Sequence, residues 1–483
     1  MSATIIVLGA TGDLTARYLL PAMAQLVERD LLGEELVLVG VANDDLDDDS
    51  FRARVQDKLA AHAAAVDAGA RADLVARAHY VRGDVTQAST LSAALEHHTS
   101  TDHPVVLYLA LPHVLFLGVI DALRQVDLPA DLRVVVEKPF GQDLQGARTL
   151  NAELATVLRE DQIFRVDHFL AKQTVLNLIG LRFANRVLEP LWDRHDVAAV
   201  DIVFDESVDA QARAAYYDRS GALRDMVQNH LLQILTLIAM EPPASLDPTD
   251  LSERKVEVLR AVQTLSREDV ERNTVRARYT AGTVGAGEKA REVGAYVDAP
   301  GVDPAREIET YTEVTLHLDA RRWEGVPFRL RTGKALARDR REVVFYFRPL
   351  EHSIFPDATP NQLRLALDPD RISLNLNING LGDPFDLETV DMGLELPRQA
   401  PTPYGQLLLA IVEGDTRLSA RAEEAEEAWR IVEPILAAWA DGVSPLVDYP
   451  AGSDGPAASP SEAVDSPPTA SDAAPVTTAS GLG

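Results

Sequence analysis

Close to the start of the chain stands Thr4-Ile5-Ile6-Val7-Leu8-Gly9-Ala10-Thr11-Gly12-Asp13-Leu14-Thr15. The first five of these residues read as a buried strand, and the two glycines mark a sharp turn into an apolar-periodic helix. Glycine lets a backbone turn tightly enough there for helix amide groups to approach a pyrophosphate. Gly9, Ala10, Thr11, Gly12, Asp13 and Leu14 are therefore candidate cofactor-binding residues. The third position of the usual fingerprint is not glycine, so a plain glycine turn stands as the alternative. The motif's place at the head of a strand–helix series favours the nucleotide.

Working outward, apolar strands are predicted at Thr4–Leu8, Leu36–Val41, Val105–Ala110 and Arg133–Glu137. Helical patterns lie between them near Leu14–Glu28, Phe51–Ala65, Thr90–His97 and Val114–Gln125. This alternation predicts an α/β Rossmann-type doubly wound domain over residues 1–175. Beyond it, Val200–Phe204, Tyr311–Leu318, Val343–Phe347, Leu363–Leu367 and Ile372–Leu376 read as strands with few helices between. Helical stretches at Ala222–Ala239, Asp250–Leu265, Gln406–Val412 and Ala420–Ala438 flank them. Residues 176–456 are expected to form an α+β domain on a large, mainly antiparallel sheet. Residues 457–483, rich in Ala, Ser, Pro, Thr, Asp and Glu without periodicity, are expected to be a disordered tail.

Composition narrows the function. The 483 residues carry a net charge of -29 with no basic stripe, which argues against nucleic-acid binding. An anionic ligand must then be captured by a locally positive pocket rather than steered by the whole surface. Zero cysteines exclude disulfides and thiolate metal sites. No metal site, membrane span or signal peptide is read, and a cytoplasmic location is expected.

Of the 46 basic residues only six are lysines. Three of these sit in distinctive segments: Glu137-Lys138-Pro139-Phe140-Gly141, Arg165-Val166-Asp167-His168-Phe169-Leu170-Ala171-Lys172 and Arg331-Thr332-Gly333-Lys334. Compact ammonium donors kept in an arginine-rich chain point to a polyhydroxylated, anionic small molecule. Oxidation of an alcohol needs a base for the hydroxyl proton and a nicotinamide to take the hydride. The best base is His230, in Gly221-Ala222-Leu223-Arg224-Asp225-Met226-Val227-Gln228-Asn229-His230. On an α-helix Met226 and Gln233 share its face, and Asp225 lies more than a turn back. Asp167 is the candidate carboxylate to orient the imidazole. At the end of the second strand stand Asn43 and Asp44, with no cation before Arg52. Carboxylates would repel a 2′-phosphate but accept from ribose hydroxyls, so NAD is favoured over NADP. A solvated acidic loop is the alternative reading.

Together these segments resemble glucose-6-phosphate dehydrogenase. Gly9–Leu14, Glu137–Gly141, Arg165–Lys172, Leu181–Asn185, Glu189–Trp192, Arg224–His230, Val326–Leu336 and Tyr449–Ser453 follow that family's order and spacing. The resemblance implies oxidation of the C1 hydroxyl of a hexose 6-phosphate to the 1,5-lactone with NAD or NADP. It implies His230 as base and Asp167 as its partner, with His168 and Lys172 on the phosphate. Glu206, Asp225 and Lys334 would bind sugar hydroxyls, Lys138 would lie between nicotinamide and sugar, and Ala110 would lie beside the cofactor. A homodimer or homotetramer is expected. Five positions depart from the family pattern: Phe169 for Tyr, Tyr18 for Lys, Asn43 for Arg, Asp339 for a basic residue and Asp368 for Gln. A one-residue slip would let Arg338 or Arg340 supply the cation missing at 339. The departures also admit a changed substrate, such as an amino sugar 6-phosphate. A catalytically quiet ligand-binding paralogue is a third reading.

Overall fold

A computed structural model describes residues 2–457 except 34, 98–102, 356–357, 381, 384 and 398. The tail expected at 457–483 lies outside the described residues apart from Ala457.

The first sheet has seven strands. Across it run Ser419–Ala420, Ile163–Val166, Leu132–Glu137, Val105–Leu109, Thr4–Leu8, Val37–Ala42 and Ala78–Arg82. All pairings are parallel except that of Ser419–Ala420 with Ile163–Val166. Thr4–Leu8 and Val105–Leu109 are buried along their whole length, because helices cover both faces. The chain winds outward on one side from Thr4–Leu8 and on the other from Val105–Leu109. The crevice for a ligand therefore opens where these two neighbours end, at Gly9 and Ala110.

The second sheet has nine strands, in the order Leu387–Glu395, Asp370–Asn379, Gln362–Leu367, Arg340–Phe347, Val197–Asp205, Phe328–Gly333, Tyr311–Leu316, Thr274–Thr280 and Leu446–Pro450. Two pairings are parallel, Val197–Asp205 with Phe328–Gly333 and Thr274–Thr280 with Leu446–Pro450; the others are antiparallel. Its central strands alternate buried and part-buried residues, as in Gln362–Leu367, since one face packs on a core. That core joins Phe328, Phe345 and Trp323 to the helices Leu232–Ala239, Pro248–Ala261 and Ala422–Ala440. Both expected architectures are present.

Two expectations need correction. The helix expected at Gln406–Val412, observed as Pro403–Glu413, packs Leu407, Leu408 and Ile411 into the first sheet's core beside Leu20 and Tyr108, not onto the second sheet. Ser419–Ala420 then completes the first sheet's edge, so the late chain returns to the early fold. The long helix expected over Ala222–Ala239 opens as a π-helix at Leu223–Leu231 before continuing as α-helix. Gly221, with φ at 66°, sets it off from the preceding helix.

Candidate active site

Parallel strands bring the critical groups to one end of each sheet. Lys138 follows Leu132–Glu137, and Asp167 and His168 follow the adjacent Ile163–Val166. In the second sheet Glu206 and Lys334 each follow one of two strands paired in parallel with Asp205 opposite Gly333. Register alone sets Glu206 beside Lys334, and the Lys334 ammonium pairs with the Glu206 carboxylate. Tyr449 fixes the Lys334 backbone, its hydroxyl donating to the carbonyl at 2.6 Å.

The π-helix crosses the gap between the two sheets. Its i→i+5 bonding stacks Asp225 and His230 on one face, where an α-helix would have parted them. Lys138 reaches both: Nζ lies 2.8 Å from His230 Nε2, 2.8 Å from the Asp225 carbonyl and 3.3 Å from Asp225 Oδ1. His230 is 1% exposed and its Nδ1 lies 2.5 Å from Asp167 Oδ1. That oxygen also accepts from the Phe169 amide at 2.9 Å. An ammonium can only donate and a carboxylate only accept, which assigns the proton to Nδ1 and leaves the Nε2 lone pair facing Lys138.

The electrostatics agree with a neutral base beside an ionised acid. Burial, aided by Lys138, holds the His230 imidazole below its ordinary range, against the opposing pull of Asp167. Burial also acts to raise Asp167, but His230, His168 and Lys138 outweigh it and keep the carboxylate well below its usual range. His168 is pushed down to about 3 by burial, then by His230, which favours the neutral ring. Burial raises Asp225, yet Lys138 and Lys334 prevail and hold it ionised. Glu137, behind this cluster, is raised to about 7 by burial and bonds to the Tyr108 hydroxyl at 2.5 Å.

Aromatic rings form the wall. Phe169 stacks on His230 with centroids 3.8 Å apart and planes at 16°. Its other neighbours are Phe204, at 4.9 Å between centroids, and the Lys172 ammonium, 4.3 Å from its centroid. The residue at 169 is thus a packing platform for His230. Tyr18 stacks on Tyr404, which stacks in turn on His168. Tyr404 arrives from the late helix that rejoins the first sheet, and no motif in the sequence singled it out.

Of the two residues that could supply the cation missing at 339, Arg338 is exposed and Arg340 is engaged elsewhere. Arg340 turns to Asp205 and Glu342, and it is Arg341 that reaches Glu206 at 3.4 Å and Asp368 at 2.6 Å. Asp339 accepts from the Ser207 amide and hydroxyl at 2.7 and 3.0 Å. Both unexpected acids are therefore engaged within the chain, which removes the basis of the amino-sugar reading.

The cofactor crevice fits its role sterically. A Cβ on Gly9 would lie 2.3 Å from the Ala110 carbonyl oxygen, and φ there is +86°. The Gly9 and Ala10 amides donate to Val41 O, so they anchor the loop rather than face a ligand. Asp44 stands at the rim, accepting from the Thr11 hydroxyl at 2.7 Å, and Asn43 is exposed beside it. Asp13 pairs with Arg17 at 3.2 Å. Two cations missed in the sequence also reach this rim: Arg54 donates to Thr11 O at 2.7 Å, and Arg82 pairs with Asp45. Asp167, His168 and His230 offer three metal-donor atoms within 4.8 Å of one another. A cation among them would compete with the Nδ1 proton and face the Lys138 ammonium. A separate cavity of about 610 Å³, lined by Arg182–Arg186, Pro242, Pro243 and Leu246 among others, includes none of these groups.

Comparison with known proteins agrees with the geometry. Residues 6–177 match the family described as "Glucose-6-phosphate dehydrogenase, NAD binding domain" and 179–465 match its "C-terminal domain". The chain is 39% identical over 469 residues to the glucose-6-phosphate 1-dehydrogenase of Mycolicibacterium smegmatis, covering 93% of this chain and 94% of that one. It is 36% identical over 479 residues to the enzyme of Treponema pallidum, covering 94% and 92%. A solved glucose-6-phosphate 1-dehydrogenase from Mycobacterium avium superposes with a TM-score of 0.82 at 38% identity, covering 94% and 95%. Another, in complex with its substrate glucose-6-phosphate, superposes with a TM-score of 0.86 at 29% identity and the same coverage. The chain belongs to the glucose-6-phosphate dehydrogenase family.

Proposed function

We propose that the protein oxidises the C1 hydroxyl of glucose 6-phosphate to 6-phosphoglucono-1,5-lactone. The observation that carries this reading is the Asp167–His230–Lys138 hydrogen-bonded chain, in which Lys138 and Asp167 follow strands of the sheet that carries the Gly9–Ala110 crevice and His230 comes from the π-helix. His230 Nε2 takes the C1 hydroxyl proton as the C–H bond breaks, and Asp167 stabilises the imidazolium that results. Lys138 occupies Nε2 in this structure, so its ammonium yields that position to the substrate hydroxyl and bonds to sugar oxygen instead. A bound nicotinamide supplies the acceptor for the hydride. Lys172 and neutral His168 hold the phosphate, while Glu206, Asp225 and Lys334 order the ring hydroxyls. Charge-assisted contacts of this kind contribute about 1.5–3 kcal/mol each.

The cofactor preference rests on the rim. Asn43 and Asp44 support NAD, whereas Arg54 on the Thr11 carbonyl supports a second reading in which it turns to a 2′-phosphate. Initial rates with glucose 6-phosphate and glucosamine 6-phosphate, each with NAD and NADP, test substrate and cofactor together. Turnover of glucose 6-phosphate with higher kcat/KM for NAD is expected. No turnover of either sugar alongside intact nucleotide binding would overturn the activity, and NADP preference would overturn the rim assignment.

The outer strand of the second sheet, Leu387–Glu395, leaves Met392 and Leu394 each 61% exposed, with Ile378 45% exposed on its neighbour. Such an apolar face on a sheet margin is a pairing surface. We infer a homodimer, or a tetramer built from it, joined through this face. Sedimentation of wild type and Leu394→Glu tests it; a monomeric wild type refutes it.

A further inference from the structure

The strand Arg340–Phe347 sends alternate side chains to opposite faces, and Arg341 is on the face that carries Phe204 and Glu206. Its guanidinium carbon lies 5.0 Å from the Phe204 ring centroid, and the Lys172 ammonium lies 5.4 Å from the same centroid. Two cations thus rest against one ring. Among the described residues, no carboxylate comes within 4.0 Å of Lys172 Nζ to neutralise it. Arg341 is held from behind: Nη1 bonds to Asp368 at 2.6 Å, while Nη2 makes only a long 3.4 Å contact with Glu206. Its Nε is buried with no hydrogen-bond partner among the described residues. After burial, Arg341 is the largest influence lowering the Lys172 ammonium, opposed by Asp368, Asp370 and Asp167.

We propose that Arg341 is a phosphate ligand, clamping the dianion of the hexose phosphate together with Lys172, with Asp368 as the positioning residue that sets its guanidinium. The proposal rests on the hexose phosphate reading above. A dianion lodged between the two cations removes their repulsion, and the planar guanidinium fits phosphate oxygens in a fork that an ammonium cannot offer. Asp368, exposed to solvent, anchors one arm of the fork and leaves the Nη2 arm, with its long contact to Glu206, to turn to the ligand.

The test compares wild type, Arg341→Ala and Arg341→Lys as purified full chains on glucose 6-phosphate and on unphosphorylated glucose. Inorganic phosphate serves as a competitive inhibitor in parallel. For Arg341→Ala we expect KM for glucose 6-phosphate to rise about 10- to 100-fold with kcat little changed. The Ki of phosphate should rise by a similar factor, kcat/KM for glucose should fall much less than that for glucose 6-phosphate, and lysine should restore part of the loss. Equal losses on glucose and glucose 6-phosphate, or an unchanged phosphate Ki, would overturn the clamp. Should Arg341→Ala fail to fold, Arg341→Gln is measured in the same way and judged by the same outcomes. Absence of wild-type turnover would instead count against the functional reading; phosphate binding by calorimetry to wild type and variant then decides the clamp alone.

Discussion

Replacing Asp167 by asparagine removes one charge from the site and almost no volume. Asp167 is 2% exposed, and its Oδ1 accepts from both His230 Nδ1 and the Phe169 amide. Two donors converging on one position select the amide oxygen of an asparagine there, so the imidazole keeps its tautomer and orientation. What is lost is the charge that stabilises the imidazolium. Charge-assisted bonds of this type contribute about 1.5–3 kcal/mol, which corresponds to about 10- to 150-fold in kcat. If the amide turned instead, Nε2 would carry the proton and the loss would approach about 10⁴-fold. The neighbouring oxygen Oδ2 has no partner among the described residues, so the new amide nitrogen is an unpaired donor costing about 1–3 kcal/mol of stability. The sign of the pH effect follows from the cited shifts. Asp167 raises the His230 imidazole, whereas burial and Lys138 lower it. Without Asp167 the ring stays neutral to lower pH, and the acid limb of kcat/KM moves downward. Steady-state rates from pH 5 to 8 and a melting curve read all three effects. A variant whose kcat stays within roughly threefold of wild type, or whose acid limb moves upward, would refute the pairing.

Other consequences concern the crevice and the frame. Gly9→Ala drives a methyl to 2.3 Å from the Ala110 carbonyl at a positive φ, so the loop must shift. Nucleotide binding measured by fluorescence titration should weaken at least about tenfold, and unchanged affinity would deny that the crevice lies there. Lys255 and Glu424 form a 2.7 Å ion pair at 5% and 0% side-chain exposure, with Ser252 and Gln233 donating to the same carboxylate. Lys255→Met leaves that carboxylate without its charge partner and should cost about 3–5 kcal/mol in urea unfolding. A loss below roughly 1 kcal/mol would mean that these neutral donors, with the Arg421 amide, suffice.

The fold was legible where a strand is apolar throughout, and the glycine turn after Leu8 located the crevice. Strands at Thr274–Thr280 and Phe328–Gly333 escaped because arginines alternate through them. Arg329 and Arg331 stand on the open face and pair with Asp201 and Asp205 across the sheet, contacts that no local pattern reveals. Asp167, His230 and Lys138 were identifiable as types in order, and the structure brings them together. Their closeness to Asp225 was not readable, since a π-helix has no side-chain signature to distinguish it from an α-helix. Arg341 was missed for a similar reason. Counting onward from Lys334 points to 338 to 340, but the strand's two-residue period selects 341 for the pocket face. Tyr404 lies more than two hundred positions after the histidine it covers, and only the chain's return to the first sheet delivers it.

The central claim is that His230 Nε2 takes the proton of the C1 hydroxyl of glucose 6-phosphate as hydride leaves C1. The most direct measurement is single-turnover formation of reduced nicotinamide by wild type and His230→Asn, with substrate binding measured separately by calorimetry. The account predicts turnover by wild type and a rate about 10²–10⁴ lower in the variant, with affinity for glucose 6-phosphate preserved within a few-fold. A variant that keeps its rate, or loses binding and rate in equal measure, would contradict it.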